Sequence, residues 1–119
     1  MHLTRRARGL PFWFMLATYG SDAVVAAVKA SIDLAKASAR LIEHRPELTL
    51  LMEPELSVVV FTRKGWSMPD YQRWSNQLLE DGTAFVLPTL VSGEPALRFC
   101  FVNPRTTIDH VTSLLDSLA

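Results

Sequence analysis

Eight consecutive residues near the start of the chain, Leu10-Pro11-Phe12-Trp13-Phe14-Met15-Leu16-Ala17, carry no charged, hydroxyl or amide side chain. A helix turns every 3.6 residues, so such a run is apolar on every side, and one small core cannot cover it all. Pro11 is tolerated in a first helical turn, and Gly20 offers a C-terminal stop. Arg5, Arg6 and Arg8 directly before the run give it the outline of a secretory signal. Ala17-Thr18-Tyr19-Gly20-Ser21-Asp22 has no small-x-small pair where cleavage would fall, so the helix is the better reading. It implies a partner surface.

Beyond this run the chain reads as one globular domain. It has 119 residues, and its 12 basic and 12 acidic side chains cancel. Single domains cluster at roughly this length. A hydrophobic share of 49% against 20% charged is far from the make-up of disordered chains. The neutral balance argues against nucleic acid as a partner. Cys100 stands alone, which excludes an internal disulfide and suits a reducing, cytoplasmic setting. No stretch reaches the roughly 20 apolar residues of a membrane span, so no membrane is expected.

The element order follows from periodicity. Val24, Val28, Ile32, Ala35, Ala39 and Ile42 recur at steps of three and four, which predicts a helix from Asp22 to about His44, ended by Pro46. Leu48–Met52 and Leu56–Phe61 read as strands around the turn Glu53-Pro54-Glu55. Ser67 with Asp70 three residues on opens a helix striped by Tyr71, Trp74 and Leu78. Ala84–Leu87 and Leu97–Val102 form a hairpin around Ser92-Gly93, with Pro88 marking an edge. Thr106-Thr107-Ile108-Asp109 opens a last helix striped by Ile108, Val111, Leu115 and Leu118. The fold class is therefore α+β, an antiparallel sheet with helices packed on one side.

Few residues carry chemistry. His2, His44 and His110 have no ligand spacing and read as solvated or helix-end histidines. Cys100, between Phe99 and Phe101, reads as a small buried hydrophobe. Glu53, Glu55, Asp81 and Glu94 fall in turns and form no acid–base pair. Arg98 is different, a lone cation inside Ala96-Leu97-Arg98-Phe99-Cys100-Phe101-Val102. Alternation puts it on the face of Cys100 and Val102, opposite Leu97, Phe99 and Phe101. That face is either open to solvent, or it presents a planar guanidinium to a carboxylate.

Two segments resemble a known family. Thr4-Arg5-Arg6-Ala7-Arg8-Gly9-Leu10-Pro11-Phe12-Trp13 is similar to the "S-R-R-x-x-A-L-x-x-W" stretch of the group II pyridoxal-phosphate-dependent amino-acid decarboxylases, among them the glutamate, aromatic-amino-acid and histidine enzymes. Gly82-Thr83-Ala84-Phe85-Val86 and Ala96–Thr107 resemble their C-terminal hairpin and the start of their last helix. The resemblance spans essentially the whole chain. It implies the small C-terminal domain of the aspartate-aminotransferase-like, fold type I architecture. Residues 1–20 would be a connecting apolar helix from a missing large domain, and residues 21–119 the small α+β domain.

The resemblance also implies what is not here. The family's Schiff-base lysine follows a histidine, whereas Lys29, Lys36 and Lys64 follow Val28, Ala35 and Arg63. The chain alone is thus expected to bind no pyridoxal phosphate and to decarboxylate nothing, although the complete enzyme would use that cofactor. Its partners would be the missing large domain or a partner chain, within a homo-oligomer. Arg98 is the one position carried over, as the arginine that contacts the substrate carboxylate or supports its pocket. The alternative is a stand-alone α+β interaction module that pairs through its apolar N-terminal helix.

Overall fold

The structure, a computed structural model, describes residue 7 and residues 9–118. His2 and the Thr4, Arg5, Arg6 and Arg8 positions of the N-terminal motif lie outside the described residues. Helix α1 runs Gly9–Glu43, followed by β1 (Leu48–Leu50), β2 (Val58–Arg63), α2 (Met68–Glu80), β3 (Leu87–Val91), β4 (Glu94–Cys100) and α3 (Ile108–Asp116). Helix α1 breaks where the sequence places a stop. Gly20 sits at φ 78°, ψ 161°, a backbone region that essentially only glycine enters, and splits an N-terminal arm from the main helix.

The strands form one antiparallel sheet in the order β1-β2-β4-β3. Its covered face presents Leu48, Val59, Phe61, Leu97 and Phe99, all buried, to the helices. Phe61 and Phe99 meet edge to face, with ring centroids 4.9 Å apart. Tyr71, Trp74 and Leu78 of α2, and Val111 and Leu115 of α3 with Leu118 beyond its end, complete this core with the last turns of α1. The expected helix stripe is only half right. Ala35, Ala39 and Ile42 are buried, but Val28 is exposed, because the packing of α1 lies against β1, β2 and α3 at its C-terminal end.

The second hairpin is displaced from its expected place. Ala84–Val86 is not a strand: the Thr83 and Ala84 N–H groups donate to the Leu78 carbonyl, and the Ser75 hydroxyl donates to the Val86 carbonyl. Those bonds tie the segment to α2, and pairing starts only at Leu87. Pro88 lies on the edge strand, where its missing N–H costs no ladder bond. Ser92 (φ 52°) and Gly93 (φ 88°) make the two-residue turn with both residues in the left-handed region, the geometry that matches strand twist. At its other end β4 stops at Cys100, leaving Val102 outside the ladder.

Caps are read well in one helix and one residue out in another. Ser67 and Asp70 form the expected box, the Ser67 hydroxyl and N–H donating to the Asp70 carboxylate at 2.6 and 2.9 Å. These two bonds, the hydroxyl's first, hold the Asp70 carboxyl below its ordinary range. In α3 the cap is Thr107, not Thr106, and His110 rather than Asp109 completes the box, its Nδ1 accepting from the Thr107 N–H at 3.2 Å. Helix α1 is long and apolar enough, by length and composition, to cross a membrane, and none of its most apolar window is buried. Small residues carry that window further than the eight-residue run alone suggests.

Candidate functional site

The site lies at the β3–β4 end of the sheet, where the face turned away from the helices meets the edge beside α3. In the ladder Arg98 stands between Val60 of β2 and Leu87 of β3, and Cys100 stands opposite Val58. Cross-strand partners share a face, so these side chains point to the same side. Arg98 and Cys100 are both exposed. Cys100 is therefore not the buried hydrophobe expected from its neighbours. Phe99 and Phe101 belong to the other face, and of the β4 residues on this one only Ala96 is buried.

Beside Arg98 the surface opens into a groove of about 800 Å³, whose rim includes Thr83, Phe85, Asn103, Thr106 and His110. Each rim segment is fixed locally. Phe85 rides on the stretch tied to α2 by Ser75 and Leu78. Asn103 organises an Asn103-Pro104-Arg105 turn, its side-chain oxygen accepting from the Arg105 N–H at 3.0 Å and its carbonyl from the Thr106 N–H at 3.1 Å. His110 is held by the α3 cap, a helix-end histidine as expected. The floor is apolar, with Phe101, Val111 and Leu114.

Electrostatically the groove has one described permanent charge. No acid lines it, and among the described residues none forms an ion pair or hydrogen bond with the Arg98 guanidinium. Three other arginines are engaged. Arg45 pairs with Asp116 at 2.5 Å, and Arg73 meets Asp70 at 3.5 Å. Arg63 donates to the Leu118 and Lys64 carbonyls and lies 4.8 Å from the Trp66 ring centroid. The fold makes it a fastening between β2 and the C-terminal end.

Sequence reasoning singled out Arg98 but gave no role to Thr83, Phe85 or Thr106, which are distant in sequence and meet only through the hairpin. The one available signal was that all three lie in the stretches carrying the family resemblance. Arg105, past the turn, does not join Arg98 in the groove lining. The shifted titrations at Lys29, Asp33 and Asp70 lie away from it; Lys29 and Asp33 shift each other through a surface hydrogen bond.

Known proteins share this fold. No protein-family model matches the chain. Histidine decarboxylase of Rattus norvegicus is 28% identical over 111 residues, covering 92% of this chain and 16% of that protein. The crystal structure of the glutamate decarboxylase domain of diaminobutyrate-pyruvate transaminase and L-2,4-diaminobutyrate decarboxylase from Vibrio parahaemolyticus has a TM-score of 0.78 at 26% identity, over 97% of this chain and 26% of that one. The Oryza sativa TDC structure with PLP and tryptamine shares the fold, with a TM-score of 0.80 at 21% identity, over 99% of this chain and 27% of that one. The fold is thus that of a small α+β part of the pyridoxal-phosphate-dependent decarboxylases. The chain matches a fragment, or C-terminal domain, of a group II decarboxylase of that kind. It spans between 13 and 25% of the length of the curated relatives it matches.

Pyridoxal phosphate is accordingly expected in the full enzyme. The residues described here do not fit it. No lysine and no acid lines the groove. Lys29 is bonded to Asp33 on the outside of α1, Lys36 is exposed on the same helix, and Lys64 donates to the Pro46 carbonyl at 2.6 Å. A Schiff-base donor and a partner for the pyridine nitrogen would have to come from elsewhere.

Proposed function

We propose that this chain serves as the small domain of a cytoplasmic, homo-oligomeric amino-acid decarboxylase, a carboxy-lyase that releases the α-carboxylate as carbon dioxide, and that it is inactive alone. In this reading the large domain, or a partner chain, closes over the open face of the sheet and supplies the cofactor site. Arg98 then receives the substrate carboxylate through its planar fork. Phe85 and the apolar floor exclude water, which strengthens that contact by lowering the local dielectric. The observation that carries the reading is the Arg98 guanidinium, which no described residue engages, on a groove lined by no acid.

The chemistry also fixes how Arg98 contributes. The carboxylate is bound before the carbon–carbon bond breaks, so the contact is made in the ground state and serves binding in ground and transition states alike. Its loss should appear chiefly in KM rather than kcat. Two preparations test the reading. The isolated chain, mixed with pyridoxal phosphate and amino acids, should neither develop a lysine-bound cofactor absorbance nor release carbon dioxide. A chimera in which the chain replaces the matching segment of the Vibrio parahaemolyticus protein should decarboxylate. Turnover by the isolated chain, or a folded chimera without turnover, would refute the reading.

A further inference from the structure

The groove that Arg98 lines from β4 has a second chemically distinct side chain on another wall. His110 stands in the first turn of α3 and lines the same groove. Its Nδ1 accepts from the Thr107 N–H at 3.2 Å. A ring nitrogen that accepts carries no proton, so the neutral ring holds its proton on Nε2. Among the described residues none bonds to Nε2. The cap closes in both directions, because the Thr107 hydroxyl accepts from the His110 N–H at 3.4 Å. The fold therefore fixes the ring's position as well as its tautomer, and His110 offers the groove a neutral donor. We propose that His110 is a specificity-determining residue of this groove. Arg98 takes a ligand's carboxylate, and the His110 Nε2–H donates to an uncharged acceptor at the ligand's other end.

The rest of the lining selects among ligand ends. Phe101, Val111 and Leu114 make the floor apolar, so affinity comes from apolar contact and the two polar groups set orientation. An ammonium at the far end would find no acid in the groove to pair with. A second carboxylate would have to share Arg98, since a neutral imidazole compensates an anion less than a guanidinium does. A wholly apolar end would cover the Nε2–H and leave it without a partner, which costs more than the bond itself contributes. A ring nitrogen, a hydroxyl or an amide oxygen satisfies it. A site built around such a donor rejects analogues that lack the acceptor. This inference rests on Arg98 receiving the carboxylate, and it adds the class of substrate: an amino acid whose side chain ends in a neutral acceptor.

The test uses the 119-residue chain itself and follows backbone amide NMR shifts during titration. The probes are 3-(pyridin-3-yl)propanoate and 3-phenylpropanoate at about pH 8, which differ by an unprotonated ring nitrogen in place of a C–H. Both should bind with Kd values of a few millimolar, as ligands of this size do, and shift amides of β4 and of the start of α3. The pyridyl compound should bind about fivefold more tightly, the effect of one neutral hydrogen bond. His110→Ala should erase that difference. Thr107→Ala keeps the N–H that holds Nδ1, so it should lower the melting temperature yet retain the difference. Arg98→Ala should weaken both probes alike. If instead neither probe responds to Arg98→Ala, the carboxylate reading fails, whereas equal binding of the two probes by the wild type fails the His110 assignment alone. A carboxylate ending in an ammonium, 6-aminohexanoate, should bind no more tightly than hexanoate. Equal wild-type affinities, a difference that survives His110→Ala or is lost in Thr107→Ala, a preference for the ammonium, or no binding of the pyridyl compound would each overturn the proposal. The decarboxylase reading is judged separately, by turnover of the chimera.

Discussion

The two faces of the sheet share one set of strands and have opposite fates. Along β4, Leu97 and Phe99 are buried beneath helices, while Arg98 and Cys100 between and beyond them are exposed. On β2, Val59 and Phe61 are fully buried, whereas Val58 is 40% exposed although its side chain suits a core equally well. The covered face stabilises the fold. The open face has β-branched and cationic residues, and of its β4 residues only Ala96 is buried.

Substitutions across that divide should differ in size. Phe61→Ala, on the covered face, removes a ring packed edge to face on Phe99 and should cost about 3–5 kcal/mol in urea unfolding. Against a typical total of 5–15 kcal/mol that is enough to leave the domain barely folded. Val58→Ala, its counterpart on the open face, should cost much less. Equal losses would mean that both faces are packed and would break the comparison.

Tyr71→Phe is the next smaller effect. The Tyr71 hydroxyl accepts from the Arg63 N–H at 2.8 Å and donates to the Arg63 carbonyl at 3.2 Å, holding the end of β2 to α2. Its removal should cost about 1–2 kcal/mol by thermal melting, because a part-buried N–H loses its acceptor. A wild-type melt would show that water replaces it without loss.

Acid should expose the Asp70 cap. A carboxyl held below its ordinary range contributes stability that is complete above its unfolded pKa, near 4. That contribution fades as pH falls through the lower folded value. Stability measured from pH 6 downward should therefore drop less steeply in Asp70→Asn than in the wild type. Parallel curves would remove Asp70 from the acid response. The smallest effect belongs to the open face. Arg98→Ala in the isolated chain should change stability by no more than about 0.5 kcal/mol, as exposed substitutions usually do.

Much of this fold was legible because period and punctuation agree. Tyr71, Trp74 and Leu78 recur at helical spacing behind a Ser67–Asp70 box, and all three are buried as expected. Gly20 and Ser92-Gly93 mark breaks that the backbone takes up. Legibility failed where a distant contact outweighed local preference. Ala84–Val86 has strand-like residues, but Ser75 and Leu78 claim its backbone groups. Val28 continues a helix stripe past the end of the surface that could cover it. Cys100 was misjudged because strand neighbours say nothing about whether a face is roofed. At the candidate site, Arg98 could be found as a charge out of place, whereas Thr83, Phe85 and Thr106 needed the fold to bring them together.

The central claim is that the open face closes over a substrate carboxylate held by Arg98. Its most direct test is kcat/KM of Arg98→Ala in the chimera that carries this chain in the Vibrio parahaemolyticus protein. Losing a bidentate, charge-assisted contact worth about 2–4 kcal/mol should lower kcat/KM between about thirtyfold and several hundredfold, mostly through KM. Arg98→Lys should recover little of it, since a point charge lacks the planar fork, and Arg105→Ala should lose far less. A chimera whose kcat/KM is unchanged by Arg98→Ala, while its melting temperature falls sharply, would make Arg98 a structural residue and contradict the account.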